Sequence, residues 1–269
     1  MRGWWQDLTD LVLPAECGGC GTPRTVLCAQ CRAALSGAAP RRVRPVPEPR
    51  GLPAVYAAGR YEDEVRATLL AHKERGALAL AAPLGTALAG AVRAGLDGAG
   101  GNTGVGAGGS VGGGAGGTGS QPVLLVPVPS ARGAVRARGH DPARRIALAA
   151  ASELRRAGTP ARVLAVLRQR RPVADQTGLN SSRRLANLTG ALGVAQGADG
   201  LLRGGRIVLV DDLMTTGASL TEAARTVREA ISVERNRIGQ GTPVVKQPHE
   251  VVCAAVVAAS PDSFEINWN

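Results

Sequence analysis

Aromatic residues are scarce in this chain of 269 residues, which contains three Trp, two Tyr and one Phe. A core without large rings must be filled by Ala, Val and Leu, so the helices are expected to pack closely. The same scarcity disfavours direct binding of single-stranded nucleic acid, which normally uses aromatic stacking platforms in a basic groove. Lysine is nearly absent too, because Lys73 and Lys246 are the only two.

The net charge of +11 is therefore carried almost entirely by arginine. Arginine is suited to bidentate recognition of phosphate, so the excess suggests an anionic ligand or a nucleic acid partner. A general compositional bias toward Arg and Ala explains the same charge equally well. The three histidines are scattered along the chain, and the sequence offers no convincing Ser-His-Asp or Cys-His catalytic set.

Long hydrophobic runs are also missing. The first 17 residues, MRGWWQDLTDLVLPAEC, carry acids and lack the apolar stretch of a signal peptide. Ala77–Val92 is uncharged, but it is mostly Ala and Gly and contains Pro83, so it is too weakly apolar for a membrane span. We therefore predict a cytoplasmic protein without membrane insertion. In that compartment, five cysteines indicate metal binding or reduced thiols rather than disulfides.

Four of these cysteines form two CxxC pairs separated by seven residues: Cys17, Cys20, Cys28 and Cys31. Four thiolates at this spacing can close a tetrahedral Zn²⁺ site, although redox CxxC pairs and an iron–sulfur cluster remain alternatives. We predict a zinc-binding module over residues 1–40 and an Arg- and Pro-rich linker over residues 41–53. The main domain then covers residues 54–269, where Cys253 lies in an apolar run typical of a core position.

The main domain shows a strand–helix alternation that predicts an open parallel α/β sheet. Tyr56–Leu96 is largely helical by pattern, and the Gly-rich residues 98–120 form an insertion predicted to be disordered. Further along, strands are expected at Val123–Val128, Arg162–Leu167, Ile207–Val210 and Val251–Ala258, helices from Pro142 to Gly158 and over Ser219–Ile231, and a long polar loop at Arg168–Gly190. Ser219 and Glu222 have the spacing of a capping box.

A polar segment follows the third of these strands. In an open α/β sheet, ligands bind at the carboxyl ends of the strands. There, the adjacent carboxylates of Asp211 and Asp212 would repel each other unless a Mg²⁺ ion or a cis-diol relieved the repulsion. The next residues, Thr-Thr-Gly-Ala-Ser at 215–219, form a tight turn into a helix N-terminus, which attracts phosphate. One segment can thus hold a ribose and its 5-phosphate.

The segment VLVDDLMTTGAS resembles the phosphoribosyl-pyrophosphate (PRPP) motif of type I phosphoribosyltransferases. Other segments narrow the resemblance to the competence-associated ComF family. They are the cysteine pairs, LLAHKERG at Leu69–Gly76, VPVPSARGAVRARGHDPA at Val126–Ala143, and LRQRRPVADQTGLNSSRRLANLTGAL at Leu167–Leu192. The resemblance covers nearly the whole chain, and it implies a type I phosphoribosyltransferase domain preceded by a zinc-binding module.

The resemblance also implies roles for individual residues. Asp211 and Asp212 would bind the ribose hydroxyls directly or through Mg²⁺. The residues that would contact the phosphate groups are Thr215, Thr216, Gly217, Ala218 and Ser219 at the 5-phosphate, Arg132, Arg138 and Gly139 in a pyrophosphate loop at Ser130–His140, Lys73, and Arg168, Arg170 and Gln176 in a flexible loop. The chain departs from the family pattern at His140 and Glu74, where aromatic residues are usual.

The implied reaction is transfer of ribose 5-phosphate from PRPP to an acceptor, with pyrophosphate as the leaving group. The sequence does not identify the acceptor. Two other functions stay open: a non-catalytic protein that senses PRPP or a nucleotide, and an accessory protein that acts through a partner in the DNA-uptake machinery. The sequence also leaves open whether the chain forms a homo-oligomer.

Overall fold

The computed structural model describes residues 16–100, 121–171, 181–238 and 251–264. Eight strands are found in these residues: β1 Arg41–Val43, β2 Val55–Arg60, β3 Val123–Pro127, β4 Ala161–Val163, β5 Leu167–Gln169, β6 Leu192–Val194, β7 Arg206–Met214 and β8 Val251–Ala259. Six of them form one sheet in the order β1-β2-β8-β7-β3-β4, in which β1 is antiparallel to β2 and the other pairs are parallel. The predicted open, mostly parallel α/β sheet is confirmed.

Helices cover both faces of this sheet. The α-helices of the described residues are α1 Ala29–Ser36, α2 Asp63–Glu74, α3 Ala81–Gly100, α4 Arg132–Arg138, α5 Pro142–Arg156, α6 Ser181–Leu188 and α7 Ala218–Ile238. One hydrophobic cluster joins α3 and α5 to one face of the sheet, and a second joins α7 to the other face. The strands β5 and β6 form a separate antiparallel hairpin beside α7.

The central strands contain continuous apolar runs, such as Ile207–Val210 in β7, because both of their faces are buried there. In β7, Val208 and Val210 belong to the cluster with α3 and α5, while Ile207 and Leu209 belong to the cluster with α7. All four side chains are fully buried. This arrangement explains why the sequence shows continuous apolar runs rather than alternation.

The scarcity of aromatic residues is met by close helix packing, as predicted. Helices α3 and α5 approach each other at Gly85, where an added Cβ would touch Ala149 and lie 2.8 Å from the backbone nitrogen of Ala150. Small residues at a crossing let two helix backbones come within van der Waals contact. The helix α5 begins as expected, because Asp141 caps it by accepting from the N–H of Arg144 at 3.2 Å and Pro142 fills its first position.

One helical stretch of the described residues, Leu78–Ala99, is long and apolar enough to cross a membrane, with a mean hydropathy of 1.3. It contacts β8, β2 and α5, and the side chains of Leu84, Leu88 and Val92 are fully buried in the cluster with α5. In this structure it is therefore a core helix. The apolar character of the stretch is explained by its packing.

The prediction that Tyr56–Leu96 is largely helical is confirmed by α2 and α3, but its first residues, Tyr56 to Arg60, belong to β2. This strand pairs in parallel with β8, with Tyr56 opposite Ala255 and Gly59 opposite Ala258. Pairing and burial against a long central strand outweigh the local helical preference of the alanines. In the segment predicted as a linker, Arg41–Val43 pairs with β2 and extends the sheet.

Two further predictions, both for residues between β3 and β7, are corrected. The expected strand Arg162–Leu167 is split, since β4 ends at Val163 and Leu167 begins the hairpin strand β5. The expected polar loop Arg168–Gly190 contains part of β5 and all of α6. These elements are short and amphipathic, and they are fixed by packing against α7 rather than by a strong local pattern.

The cysteine segment packs onto the main domain. Cys17, Leu27, Cys31 and Leu35 are buried in the same hydrophobic cluster as α3 and α5, and α1 contacts α2, α3 and β2. Leu35 is 1% exposed. The Gly-rich insertion lies outside the described residues from residue 101 onward, and Trp4, Trp5 and Gln176 lie outside them as well.

Candidate functional site

The candidate ligand site lies where β7 extends beyond β3. Pro127 pairs with Val210, and the N–H of Val128 donates to the carbonyl of Val210. From Asp211 to Met214, β7 is paired with β8 alone among the described strands. The sequence placed the two aspartates directly after the strand. In the structure they lie within it. No described strand pairs with them on the β3 side, because β3 ends at Pro127.

The carboxylates of Asp211 and Asp212 are close and poorly solvated. Asp211 is partly buried and accepts a hydrogen bond from the N–H of Asp212 at 2.8 Å, and Asp212 is 7% exposed. Burial, followed by repulsion from Asp212, raises the pKa of Asp211 well above its ordinary value. A cation or a hydrogen-bond donor at this pair would relieve that repulsion. Carboxylate oxygens are among the ligands that Mg²⁺ prefers, so these two side chains could contribute to holding such an ion.

Lys73 provides one positive charge at this pair. Its Nζ lies 3.3 Å from Oδ2 of Asp212, although the two residues are far apart in the sequence. Attraction to Asp212 is the main cause that raises the pKa of Lys73, and Asp211 adds to it. The end of α2 is thereby joined to the carboxyl edge of the sheet.

The turn after β7 leads directly into a helix N-terminus, as the sequence predicted. Gly217 has a φ of +74°, a backbone conformation that side-chain-bearing residues rarely adopt. The helix α7 begins directly after it, at Ala218, so unpaired N–H groups of the first helical turn are available there. A small concavity is lined by Asp211 and by the turn, with Leu213, Met214, Thr215, Thr216, Gly217, Ala218, Ser219 and Leu220.

The helix α7 does not begin with the predicted capping box. Glu222 is 2% exposed, and its carboxylate accepts from the N–H of Leu192 and from the guanidinium of Arg225. The residue is used to hold the β5–β6 hairpin against the helix. A capping-box spacing in the sequence does not distinguish this longer-range contact from a local one.

The predicted pyrophosphate loop Ser130–His140 contains the short helix α4, which ends at Gly139 with a φ of +74°. Arg138, at the end of this helix, is held by two contacts. Its Nε donates to the carbonyl of Ala134 at 3.0 Å, and its Nη1 lies 3.3 Å from Oε1 of Glu74. Arg132, at the other end of α4, is exposed.

The residue after Gly139 contacts α2. His140 is 8% exposed, and its Nε2 lies 3.3 Å from the carbonyl oxygen of His72. The two imidazole rings meet edge to face with centroids 5.5 Å apart. The imidazole of His140 thus packs on a second imidazole. This pair ties the loop Ser130–His140 to the helix that carries Lys73.

Arg168 and Arg170 lie on and next to β5 and do not contact the aspartates among the residues that the structure describes. Arg168 donates to the carbonyls of Ala165 and Leu167. The side chain of Arg170 lies against Gly193 of the partner strand. Both side chains are exposed. Of the predicted phosphate-contacting arginines, Arg138 is the one joined to the helix that carries Lys73.

A second candidate site is formed by the four cysteines of the N-terminal segment. The Sγ atoms of Cys17, Cys20, Cys28 and Cys31 all lie within 4.8 Å of one another. The separation between Cys20 and Cys28 is 3.6 Å. Four sulfur atoms this close, none of them in a disulfide, are positioned to bind one metal ion, and the arrangement is compatible with a structural zinc.

Backbone N–H groups support the thiolate form of part of this cluster. The N–H of Cys28 donates to Sγ of Cys17 at 3.3 Å, and the N–H of Cys31 points at Sγ of Cys28 at 3.5 Å. Burial opposes ionisation of Cys17, but hydrogen bonds from neighbouring N–H groups lower its pKa to about 6. Burial and the neighbouring thiols raise the pKa of Cys31. A cation is needed for all four to be thiolates at once.

A scan against protein-family models and a search of curated proteins return no match for this chain. These comparisons therefore show no family for this chain.

Sequence reasoning missed the contacts that α2 makes with this site. Glu74 pairs with Arg138, and His72 packs on His140, yet neither partner could be identified from spacing. One indication that His72 and Glu74 lie near the site was present in the sequence, because both are adjacent to Lys73. Their partners lie in an element separated from α2 by the whole of α3 and β3.

Proposed function

We propose that the chain is a PRPP-binding, phosphoribosyltransferase-like protein of the ComF type. It transfers ribose 5-phosphate from PRPP to an acceptor and releases pyrophosphate. The observation that carries this proposal is the ion pair between Lys73 and Asp212, which joins α2 to the two aspartates beside the phosphate-binding turn. A cation, one partly buried and one buried carboxylate, and a helix N-terminus then lie at one edge of the sheet.

Each part of PRPP has a suitable group in this arrangement. The hydroxyls of the ribose suit the carboxylates of Asp211 and Asp212 as acceptors. The 5-phosphate suits the backbone of the Thr215–Ser219 turn at the start of α7. The pyrophosphate suits Lys73 and Arg138, which provide positive charge on the α2 side.

The chemistry asked of the protein is mainly electrostatic. Departure of pyrophosphate leaves positive charge at the anomeric carbon and adds negative charge to the leaving group. Asp211 and Asp212 would stabilise the former, and Lys73 and Arg138 would stabilise the latter. Mg²⁺, bound through the two aspartates and the substrate, would supply further charge stabilisation. No nucleophile from the protein is required.

Two further parts of the proposal rest on the resemblance. The four-cysteine cluster holds Zn²⁺ in a structural role, and the protein acts in the cytoplasm with a partner in DNA uptake. The scarcity of aromatic residues favours the small-molecule function over direct contact with DNA. A salt-dependent mobility shift with single-stranded DNA tests direct contact.

Calorimetry with PRPP and Mg²⁺ tests the proposal. The double variant Asp211→Asn with Asp212→Asn is expected to bind PRPP at least about 100-fold more weakly, because each charge-assisted hydrogen bond contributes about 1.5–3 kcal/mol. The control is Asp97→Asn with Asp199→Asn, which changes charge equally near the opposite edge of the sheet. Unchanged affinity in the Asp211/Asp212 variant overturns the assignment.

A second measurement separates transfer from sensing. Release of pyrophosphate from PRPP is followed across a panel of nucleobases and amines. Release that depends on one class of acceptor supports a transferase and names the acceptor class. Tight PRPP binding without release for any acceptor favours the sensing function instead.

A further inference from the structure

Three consecutive residues at the end of α2 each contact a different part of the candidate site. His72 packs on His140, Lys73 pairs with Asp212, and Glu74 pairs with Arg138. The first two contacts bring groups together that a ligand site can use. The third places a negative charge on an arginine that the proposed function assigns to pyrophosphate.

The two side chains of the ion pair between Glu74 and Arg138 differ in their exposure to solvent. The Arg138 side chain is 14% exposed, whereas the Glu74 side chain is 54% exposed. Arg138 is also fixed by its hydrogen bond to the carbonyl of Ala134. The arginine is therefore the held partner, and the glutamate is the partner that can leave without disturbing the fold.

The charge on Glu74 must oppose an anion at Arg138. When a phosphate group takes the guanidinium, the glutamate either moves away and loses its ion pair or stays and repels the phosphate. Both outcomes lower the affinity for the anion. The loss grows with the anion's charge, so it is largest for a polyphosphate without a bound cation.

We propose that Glu74 is a specificity-determining residue that makes polyphosphate binding at Arg138 favour the cation-complexed form over the metal-free form. This inference rests on the proposed function, since it concerns the same site. It assigns a role to the residue that replaces the aromatic usual in the family pattern. It also explains why an acidic side chain is tolerated beside two cations that face a polyanion.

The test measures binding of inorganic pyrophosphate by calorimetry, with EDTA and with Mg²⁺. Glu74→Gln keeps the size and the acceptor oxygen but removes the charge. It is expected to bind metal-free pyrophosphate about two- to fivefold more tightly than the wild type, the range of an exposed ion pair. The gain should shrink in Mg²⁺, where the anion carries less charge, and in high salt. The control Glu64→Gln removes the same charge about 15 Å away along α2 and is expected to change nothing.

A double-mutant cycle assigns the effect to the pair. Arg138→Gln is expected to weaken binding, and adding Glu74→Gln to it should give less than the gain seen in the wild-type background. Unchanged or weaker metal-free binding in Glu74→Gln overturns the inference, because it means that Glu74 is neutral or orients Arg138 for the ligand. If the wild type still binds PRPP, that result leaves the proposed function intact. Failure of the wild type to bind either PRPP or pyrophosphate overturns both.

Discussion

The two candidate sites of this protein are assembled in opposite ways. The four sulfur ligands come from one short segment, between Cys17 and Cys31, and they meet through two tight turns and the start of α1. The sheet-edge site takes Lys73 from α2, Arg138 from α4 and Asp212 from β7, so it exists only when the whole sheet has formed. The first is a local structure and the second is a product of topology.

This difference determines what stabilises each site. A cluster of four thiols in a small segment would depend on a bound metal, because metal binding supplies free energy that the segment's own small core lacks. The aspartate pair depends on the sheet, which holds the two carboxylates together in spite of the burial and, after it, the repulsion from Asp212 that raise the pKa of Asp211. Removing metal should therefore damage the first region far more than the second. Removing a tie between distant elements should do the reverse.

The largest effect is expected from Cys28→Ser. Cys28 caps α1 through its sulfur, and serine is among the best N-cap residues, so this change removes a metal ligand while it keeps the cap. We expect metal content to fall below one equivalent and the free energy of unfolding to drop by about 4 kcal/mol or more, as is typical of metal loss. Metal analysis and urea denaturation measure the two quantities.

Cys253→Ala is the matched control for this variant. Cys253 is 1% exposed in the core, where burial raises the pKa of its thiol to about 12. It lies in β8, away from the cluster, so this variant should keep its full metal content and lose only about 1 kcal/mol of packing. Full metal content in Cys28→Ser would contradict the four-ligand site. A visible iron–sulfur absorbance in the wild type would contradict zinc.

The same contrast explains how much the sequence could predict. The cysteine cluster was identified correctly because its ligand spacing is short and its chemistry is local. The buried strands β3, β7 and β8 were also found, since a short continuous apolar run is typical of a strand that is buried on both faces. The positions of the aspartates and of the turn at Gly217 could be predicted for a related reason, as they adjoin such a run. Their roles in ligand binding stay predictions.

The remaining features depend on partners that no local pattern names. The strand Val55–Arg60 was missed because its alanines favour a helix until β8 pairs with them. The β5–β6 hairpin was missed because its strands have three residues each. The partner of Arg138 could not be predicted either. An ion pair between Glu74 and a residue beyond α3 and β3 is a property of the folded chain.

A middle-sized effect is expected from Glu222→Ala, which cuts a tie between distant elements. The carboxylate accepts from the N–H of Leu192 at 3.4 Å and from Nε and Nη2 of Arg225 at 2.7 Å each. The variant leaves the buried N–H of Leu192 without this partner, so a loss of about 2 kcal/mol in unfolding free energy is expected. Metal content should not change.

Glu229→Ala serves as its control. Glu229 pairs with the same arginine, but its side chain is 62% exposed. Its removal should cost less than about 1 kcal/mol, as for other surface pairs. Equal losses in the two variants would mean that the contact to Leu192 does not stabilise the hairpin. A contact between distant elements would then contribute no more to stability here than an exposed local ion pair.

The smallest expected effect is a pH dependence of the free energy of unfolding. It originates at His72, the residue before Lys73. His72 is fully buried, and burial is the main cause that lowers its pKa below the ordinary value of 6.5. His140 and Arg145 lower it further, while the carbonyl of Ala77 and the charge of Asp212 oppose the shift. Below about pH 6.5 the unfolded chain therefore binds a proton that the native protein does not. Stability must fall as the pH falls through this range.

The variant His72→Asn separates this loss of stability from the effects of other titrating groups. Its amide nitrogen replaces the Nδ1 of His72, which lies 3.3 Å from the carbonyl oxygen of Ala77. Urea denaturation between pH 7.5 and 5.5 should show the wild type losing up to about 1 kcal/mol more than the variant, since the limiting slope is about 1.4 kcal/mol per pH unit. Protonation of the cysteine cluster affects both proteins equally and cancels in the difference. Parallel curves would mean that the protonation of His72 does not differ between the native and the unfolded chain. The contact between His72 and His140 would then hold the loop Ser130–His140 without lowering the free energy of unfolding at low pH.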